Sequence, residues 1–227
     1  MRPAGVVVDI EGTTTPIAFV HSTLFPFARE RLPTWVSAHA DAPELAVVRT
    51  LHPDAEPLDT LLRWMDTDAK VTPLKTIQGL IWAEGYAAGQ LRGALYPDVA
   101  PALRAWHAVG VALFVYSSGS VAAQRQIFGH STDGDLTNLF RGFFDTAVGA
   151  KRDADSYDRI AISAGIPAAG LLFLSDVGAE LDAASAAGLR TCQLVRAEDG
   201  TIAADGHPIA RGFDKVSALF DLPTDRG

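Results

Sequence analysis

Val6-Val7-Val8-Asp9-Ile10-Glu11-Gly12-Thr13-Thr14-Thr15 is the stretch that decides the architecture. β-Branched residues suit a packed, pleated surface, and an apolar run without polar alternation belongs to a strand covered on both faces. The run over residues 6–10 is interrupted by Asp9 and followed by Gly12, which predicts a buried parallel strand that passes at once into a loop. In open α/β sheets ligands sit beyond the carboxyl ends of the strands, so Asp9 and Glu11 stand where chemistry is done.

Similar apolar runs recur at 112–116, 171–174 and 192–195, with helical patterns between them at 99–109 and 180–187. Strands that alternate with helices predict an α/β fold with a doubly wound, Rossmann-like parallel sheet. Residues from about 20 to 95 break the alternation, because they carry helical patterns and Pro-marked turns but no buried strand. Thr72-Pro73 predicts a helix start, after which Leu74, Ile77, Leu80, Ile81 and Gly85 form an apolar stripe. The expected division is a catalytic core of 1–19 with 97–227 and a helical cap, 20–96, inserted after the first strand. A polar tail at 224–227 is expected to fray.

Composition excludes several classes of function. The 227 residues are 48% hydrophobic and 20% charged, enough apolar material for a sizeable core. A formal charge of −8 and a pI near 5.1 oppose nucleic-acid binding, since no basic cluster offsets them. The lone Cys192 lies in a strand-like run and reads as a buried, inert thiol in a reducing compartment. No stretch approaches the roughly 20 apolar residues of a membrane span, and the N-terminus has no signal-like segment, so a cytoplasmic enzyme without membrane or nucleic-acid partners is expected.

Four strand ends carry the candidate site: Asp9 with Glu11; Ser117-Ser118-Gly119-Ser120; Lys151 after Val148-Gly149-Ala150; and Ser175-Asp176. Singly, each has an ordinary structural explanation: a turn residue at Asp9, helix caps at Ser117, Ser118 and Asp176, a solvated lysine at Lys151. Those explanations do not account for two carboxylates, a hydroxyl pair, a lysine and a third carboxylate arriving in that order. Asp9 and Asp176 suit a hard cation such as Mg²⁺, which uses one or two carboxylates and a substrate phosphate. Like charges about 4 Å apart repel by about 4 kcal/mol per pair at an effective dielectric of 20, so the cluster requires a cation and Lys151 beside it.

Asp9, Ser117, Lys151 and Asp176 match in order the four motifs of haloacid dehalogenase-type phosphatases. Within that superfamily, Asp9 to Ile17 reads Asp-Ile-Glu-Gly-Thr-Thr-Thr-Pro-Ile, departs from the usual Asp-x-Asp, and resembles the enolase-phosphatase (acireductone synthase) family of methionine salvage. Leu74-Lys75-Thr76-Ile77-Gln78-Gly79 with Trp82, Tyr116 to Ser120, Phe128 to Thr132 and Leu172 to Val177 extend the resemblance along nearly the whole chain.

The resemblance implies a HAD-type core, one Mg²⁺ per chain, a monomer, and two steps on 2,3-diketo-5-methylthiopentyl 1-phosphate: enolisation, then phosphate removal. It implies Asp9 as the nucleophile, Glu11 as acid and base, and Lys151 as a charge-offsetting catalytic residue. Metal ligands are then Asp9, Asp176 and Glu11 through its carbonyl, with Glu180 orienting a metal-bound water. Substrate contacts would come from Ser117, Ser118, Lys151, Lys75, Gln78 and Trp82. Glu11, Lys75 and His21 all stand as bases for enolisation. The alternatives are a HAD-type phosphatase of another small metabolite and, in another class, a receiver-type signalling module. The second is disfavoured by an Asp on the first strand and by the helical insert.

Overall fold

The computed structural model describes residues 2–69 and 71–224. The end of the polar tail, 225–227, lies outside them. Two compact units are present, one of Met1–Ile17 with Gly93–Gly227 and one of Ala18–Arg92.

The first unit is an α/β layer structure. Its strands are β1 (Gly5–Val8), β2 (Ala112–Tyr116), β3 (Phe140–Phe144), β4 (Leu171–Ser175), β5 (Arg190–Leu194) and β6 (Ile209–Ala210). They form one parallel sheet in the order β3-β2-β1-β4-β5-β6. Every residue of β1, β2 and β4 is buried, as their β-branched and aromatic content requires. The chain builds β2 and β3 on one side of β1 and β4 to β6 on the other, so strand order reverses at β1 and a crevice opens at its carboxyl end.

Helices α6 (Val99–Ala108), α7 (Val121–Gly129), α8 (Ala154–Ala164), α9 (Gly178–Ala186) and α10 (Phe213–Phe220) belong to this unit. Val7, Phe114, Tyr116 and Phe173 share one core cluster with Tyr157 and Ile160 of α8 and Leu181 and Ala184 of α9. Tyr157 packs edge-on against Tyr116 at 5.5 Å and Phe173 at 5.0 Å, and burying each ring contributes about 2–3 kcal/mol. A separate contact joins α6 to α10: Trp106 stacks on Phe213 at 5.2 Å and donates its indole N–H to Ser217 Oγ.

Several boundaries differ from the sequence expectation. β1 stops at Val8 rather than Ile10, and β5 is Arg190–Leu194 rather than 192–195. β3 and β6 carried no apolar-run signal: β3 is an edge strand with Arg141 and Gly142 inside it, and β6 has two residues. Edge strands are half-solvated and need no continuous apolar sequence.

In the second unit the described residues form helices and no strand. After α1 (Ile17–Phe19), a π-helical turn (Val20–Leu24) leads into α2 (Phe25–Ala38), followed by α3 (Pro43–Leu51), α4 (Pro57–Asp66) and α5 (Thr72–Ala87). The last four helices each carry Pro within their first two positions, where its missing N–H costs nothing. α5 buries Leu74, Ile77, Gln78, Ile81, Trp82, Gly85 and Tyr86, whereas Leu80, expected in the stripe, is 39% exposed. Trp82 donates its indole N–H to the Leu24 carbonyl at 2.8 Å and stacks on Phe25. No described helix is long and apolar enough to cross a membrane.

Two glycines of α5 have opposite surroundings. An added Cβ at Gly79 meets nothing within 4 Å, whereas one at Gly85 meets the Phe27 ring at 2.3 Å, and that ring is held beneath Arg31 at 3.7 Å. Gly79→Ala is expected to raise stability by up to about 1 kcal/mol through helix propensity. Gly85→Ala should lower it by about 1–3 kcal/mol through overpacking. Thermal denaturation followed by circular dichroism checks both signs, and a gain at Gly85 would contradict the packing described.

Candidate active site

The loop after β1 is a compact turn. The Asp9 N–H donates to the Leu174 carbonyl at 2.9 Å, continuing the β1–β4 ladder by one residue. The Ile10 carbonyl then accepts from the N–H groups of Thr13, Thr14 and Thr15, and the Thr14 hydroxyl donates to the Asp9 carbonyl at 2.9 Å. Because the backbone bends at Ile10, alternation along an extended strand does not place Glu11 on the side of Asp9; the turn sets its position, with Glu11 bridged to Thr15. Gly12 has φ +71°, and a Cβ there would lie 2.5 Å from Asp176 Oδ2. Only glycine lets this turn and the Asp176 carboxylate approach so closely.

Asp9 is 4% exposed and its carboxylate is fully engaged. Oδ1 accepts from the Ile10 N–H at 2.7 Å, and Oδ2 lies 2.6 Å from Lys151 Nζ. The same ammonium lies 2.6 Å from Glu180 Oε2. Ser175 Oγ is 2.9 Å from that Glu180 oxygen and 3.3 Å from Asp9 Oδ2, and accepts the Val177 N–H.

Lys151 comes from the loop between β3 and α8 and is 7% exposed, so it is no solvated surface lysine. Three side chains fix its backbone: Tyr157 Oη donates to the Lys151 carbonyl, Ser156 Oγ to that of Ala150 and Tyr116 Oη to that of Gly149. The aromatic cluster over the sheet thereby also positions the site. Burial opposes the charged lysine, but the Asp9 and Glu180 carboxylates outweigh it and hold Lys151 above its ordinary pKa. Glu180 is raised by burial and then by Asp9, with Lys151 pulling the other way. Asp176 is pushed up to about 7, first by burial and second by the negative charge of Asp9. Its backbone carbonyl accepts from Gln193 Nε2 at 2.8 Å.

Beyond β2, the Ser117 N–H donates to the Phe144 carbonyl, and Ser117 Oγ accepts from the Gly119 N–H at 3.3 Å. Neither Ser117 nor Ser118 caps the following helix: Ser120 does, accepting the Ala123 N–H. Asp176 does not cap α9 either, whose N-cap is Val177. Lys75, Gln78 and Trp82 lie on α5 of the helical unit, with Gln78 and Trp82 buried. Sequence reasoning read Glu180 only as a possible partner of water and missed Ser175 as its hydrogen-bond partner; the position of both one residue or one turn from Asp176 was the available signal. Gln193 gave none, because a buried glutamine on a strand has no spacing signature. Among the described residues, no three His, Cys, Asp or Glu side chains gather as a ready-made metal cage.

Residues 3–188 match the family model of haloacid dehalogenase-like hydrolases. The chain is 56% identical to the enolase-phosphatase E1 of Gluconacetobacter diazotrophicus, covering 96% of this chain and 94% of that one. It belongs to the enolase-phosphatase family. The enolase-phosphatase E1 of Acidiphilium cryptum is also 56% identical, with 98% and 97% of the two chains covered. Among solved structures, the UTR4 protein of Saccharomyces cerevisiae superposes with a TM-score of 0.80 at 32% identity, over 93% of this enolase-phosphatase and 99% of the yeast chain.

The raised Asp176 makes a stability prediction for the metal-free enolase-phosphatase. A carboxyl group whose pKa is raised on folding binds its proton more tightly in the folded state, so stability falls as pH rises from about 4 towards about 7. Asp176→Asn removes that burden. Calorimetry on metal-free protein should show a higher Tm at pH 8, by a few degrees given about 2–4 °C per kcal/mol, and a smaller gain at pH 5. A lower Tm at pH 8 would mean that the carboxylate is stabilising in place.

Proposed function

We propose that this enolase-phosphatase converts 2,3-diketo-5-methylthiopentyl 1-phosphate to the acireductone of methionine salvage, enolising it and then transferring its phosphoryl group to Asp9. The observation that carries the reading is the Lys151 ammonium, 2.6 Å from both Asp9 and Glu180 at the carboxyl end of the central strand, in a chain 56% identical to enolase-phosphatases.

A carboxylate oxygen of Asp9 attacks phosphorus, and the bond to the ester oxygen breaks as that oxygen takes a proton from Glu11. Water then attacks the aspartyl-phosphate, giving its proton to Glu11, and releases phosphate and free Asp9. Lys151 offsets the charge on Asp9 and on the phosphoryl oxygens, and Ser117 and Ser118 supply donors to the phosphate. For enolisation a base removes a carbon-bound proton. Glu11 is the assignment favoured over Lys75 and His21, because its side chain follows the nucleophile by two residues and is one methylene longer than the superfamily's usual Asp. Lys75, Gln78 and Trp82 are assigned to the substrate, contributed by the helical unit acting as a cap.

Haloacid dehalogenase-type phosphatases are generally magnesium-dependent. The residues here fit the ion: the Asp176 carboxylate reaches Gly12 of the turn that carries Asp9, and after burial, the main cause, the negative charge of Asp9 adds to the rise of its pKa to about 7. Asp9, Asp176 and the Glu11 carbonyl would hold one Mg²⁺, a hard-oxygen donor set that leaves room for water and phosphate. When bound, Mg²⁺ supplies positive charge for the phosphoryl oxygens and for a developing enolate. A cytoplasmic monomer acting on a small phosphorylated metabolite completes the reading.

Phosphate release is expected to stop on exhaustive chelation and to return with Mg²⁺, and Asp9→Asn should abolish it while circular dichroism stays unchanged. Turnover by either the chelated enzyme or the variant would defeat the reading. Glu11→Asp should retain phosphate release from a generic ester while enolisation falls at least about tenfold, roughly 1.4 kcal/mol of barrier. Separate assays of enol formation and phosphate release decide this, and equal retention of both steps would transfer the base to another residue.

A further inference from the structure

The connection after β5 carries a group of buried polar contacts that the phosphoryl-transfer chemistry does not use. Arg196 is 3% exposed, and its Nε and Nη2 donate to the Thr13 carbonyl at 3.3 and 2.9 Å. Its Nη1 meets both oxygens of Asp98 at 2.9 and 3.0 Å, and the guanidinium lies 4.0 Å from the centre of the Tyr96 ring. Asp199, in the short 3-10 turn Ala197–Asp199, accepts the Ile17 N–H at 3.3 and 3.2 Å, and also accepts the Tyr96 hydroxyl. The Tyr96 N–H in turn donates to the Thr14 carbonyl at 3.0 Å.

These residues occupy the two crossings between the units. Ile17 is the last residue of the first unit before the helical insertion, and Tyr96 lies just beyond Gly93, where the chain returns. Thr13, Thr14 and Ile17 belong to the turn that begins at Asp9; its Asp9 end is tied to β4 through the Leu174 carbonyl, and the bonds from Arg196, Tyr96 and Asp199 tie its far end. Burial first, and the bond to Asp199 second, hold the Tyr96 phenol above its ordinary pKa, which keeps it a donor to Asp199 at all working pH values.

We infer that Asp199 is a positioning residue for the reaction at Asp9: it joins the outgoing segment at Ile17 to the returning segment at Tyr96, and with Arg196 holds the turn carrying Asp9 and Glu11 in register with the sheet. The inference rests on the activity proposed above. Asp199 bonds to the Ile17 N–H and the Tyr96 hydroxyl and acts through the backbone of the turn. The one side chain accepts an N–H and a phenol O–H together, and its charge strengthens both bonds, although a carbonyl oxygen alone can accept them.

The test compares Asp199→Ala, Asp199→Asn, Tyr96→Phe and the double variant Asp199→Ala/Tyr96→Phe in the full chain with Mg²⁺. Ser217→Ala serves as a control that removes a buried hydrogen bond between α6 and α10. Asp199→Ala should accelerate amide exchange of residues 10–17 and 93–97 by at least about tenfold. It should lower kcat for phosphate release from an aryl phosphate about tenfold, change KM less than about twofold, and lower Tm no more than Ser217→Ala does. Asp199→Asn keeps one carbonyl acceptor and should recover most of kcat. Tyr96→Phe should cost activity alone and nothing further in the Asp199→Ala background. Unchanged exchange, additive effects, or a kcat loss no greater than that of Ser217→Ala would overturn the positioning role while wild-type turnover stands. A wild-type chain that releases no phosphate from any ester would instead defeat the proposed activity, and the positioning role with it.

Discussion

One ammonium group shared by two buried carboxylates is the constraint on which this structure turns. Lys151, Asp9 and Glu180 are all nearly removed from solvent, and such charges are tolerated only when each is paired at close range. At about 2.6 Å and in a medium of low polarity the attraction is large, but so is the cost of dehydrating three ions, and the net gain in stability is modest. The consequence is positional. Any displacement of one partner leaves a buried charge uncompensated, so the loops after β1 and β3 and the first turn of α9 that carry them have little freedom.

The fold meets this demand from two directions. Parallel strands all point their carboxyl ends the same way, so β1, β4 and the loop after β3 bring their polar residues to one edge of the sheet. From beneath, Tyr116, Tyr157 and Ser156 connect the packed aromatic layer to the backbone of the Lys151 loop. The rings are held by burial and edge-to-face packing, and their hydroxyls transmit that rigidity to the lysine. Hydrophobic packing therefore fixes the position of the charge, which is why the site needs few direct contacts of its own.

The same charge balance bears on the Mg²⁺ proposed for the site. Lys151 compensates part of Asp9 and Glu180, yet Asp176 stands nearby with its proton held more tightly than usual. A protein that selected only for stability would replace such a carboxylate. Keeping it beside Gly12, where no larger residue fits, is consistent with a site that reaches electrostatic balance only in its working state.

Much of this was legible in the sequence because it depends on local pattern. Val6 to Val8, Ala112 to Tyr116 and Leu171 to Leu174 are apolar without alternation, which predicted buried parallel strands, and the polar residues that follow them marked the site. The start of α5 at Thr72-Pro73 was equally visible, since Pro at a helix start is a local preference, whereas the prolines that open α2, α3 and α4 read only as turns. Edge strands β3 and β6 were not, because half-exposed strands carry no continuous apolar run. Local spacing did not reveal the turn after β1 either, since the bend around the Ile10 carbonyl is set by hydrogen bonds from Thr13, Thr14 and Thr15 rather than by strand alternation. The sequence by itself determined the strand-and-helix alternation, the strand end that carries Asp9 and the family motifs. Only the tertiary structure decided that Glu180 shares Lys151 with Asp9, that Ser175 bonds to both carboxylates, that Gln193 holds the Asp176 carbonyl, and that Arg196 and Asp199 bond to the turn. Those partners lie far apart along the chain or on unrelated faces of it, and a hydrogen bond between distant residues leaves no period or spacing for a linear reading to detect.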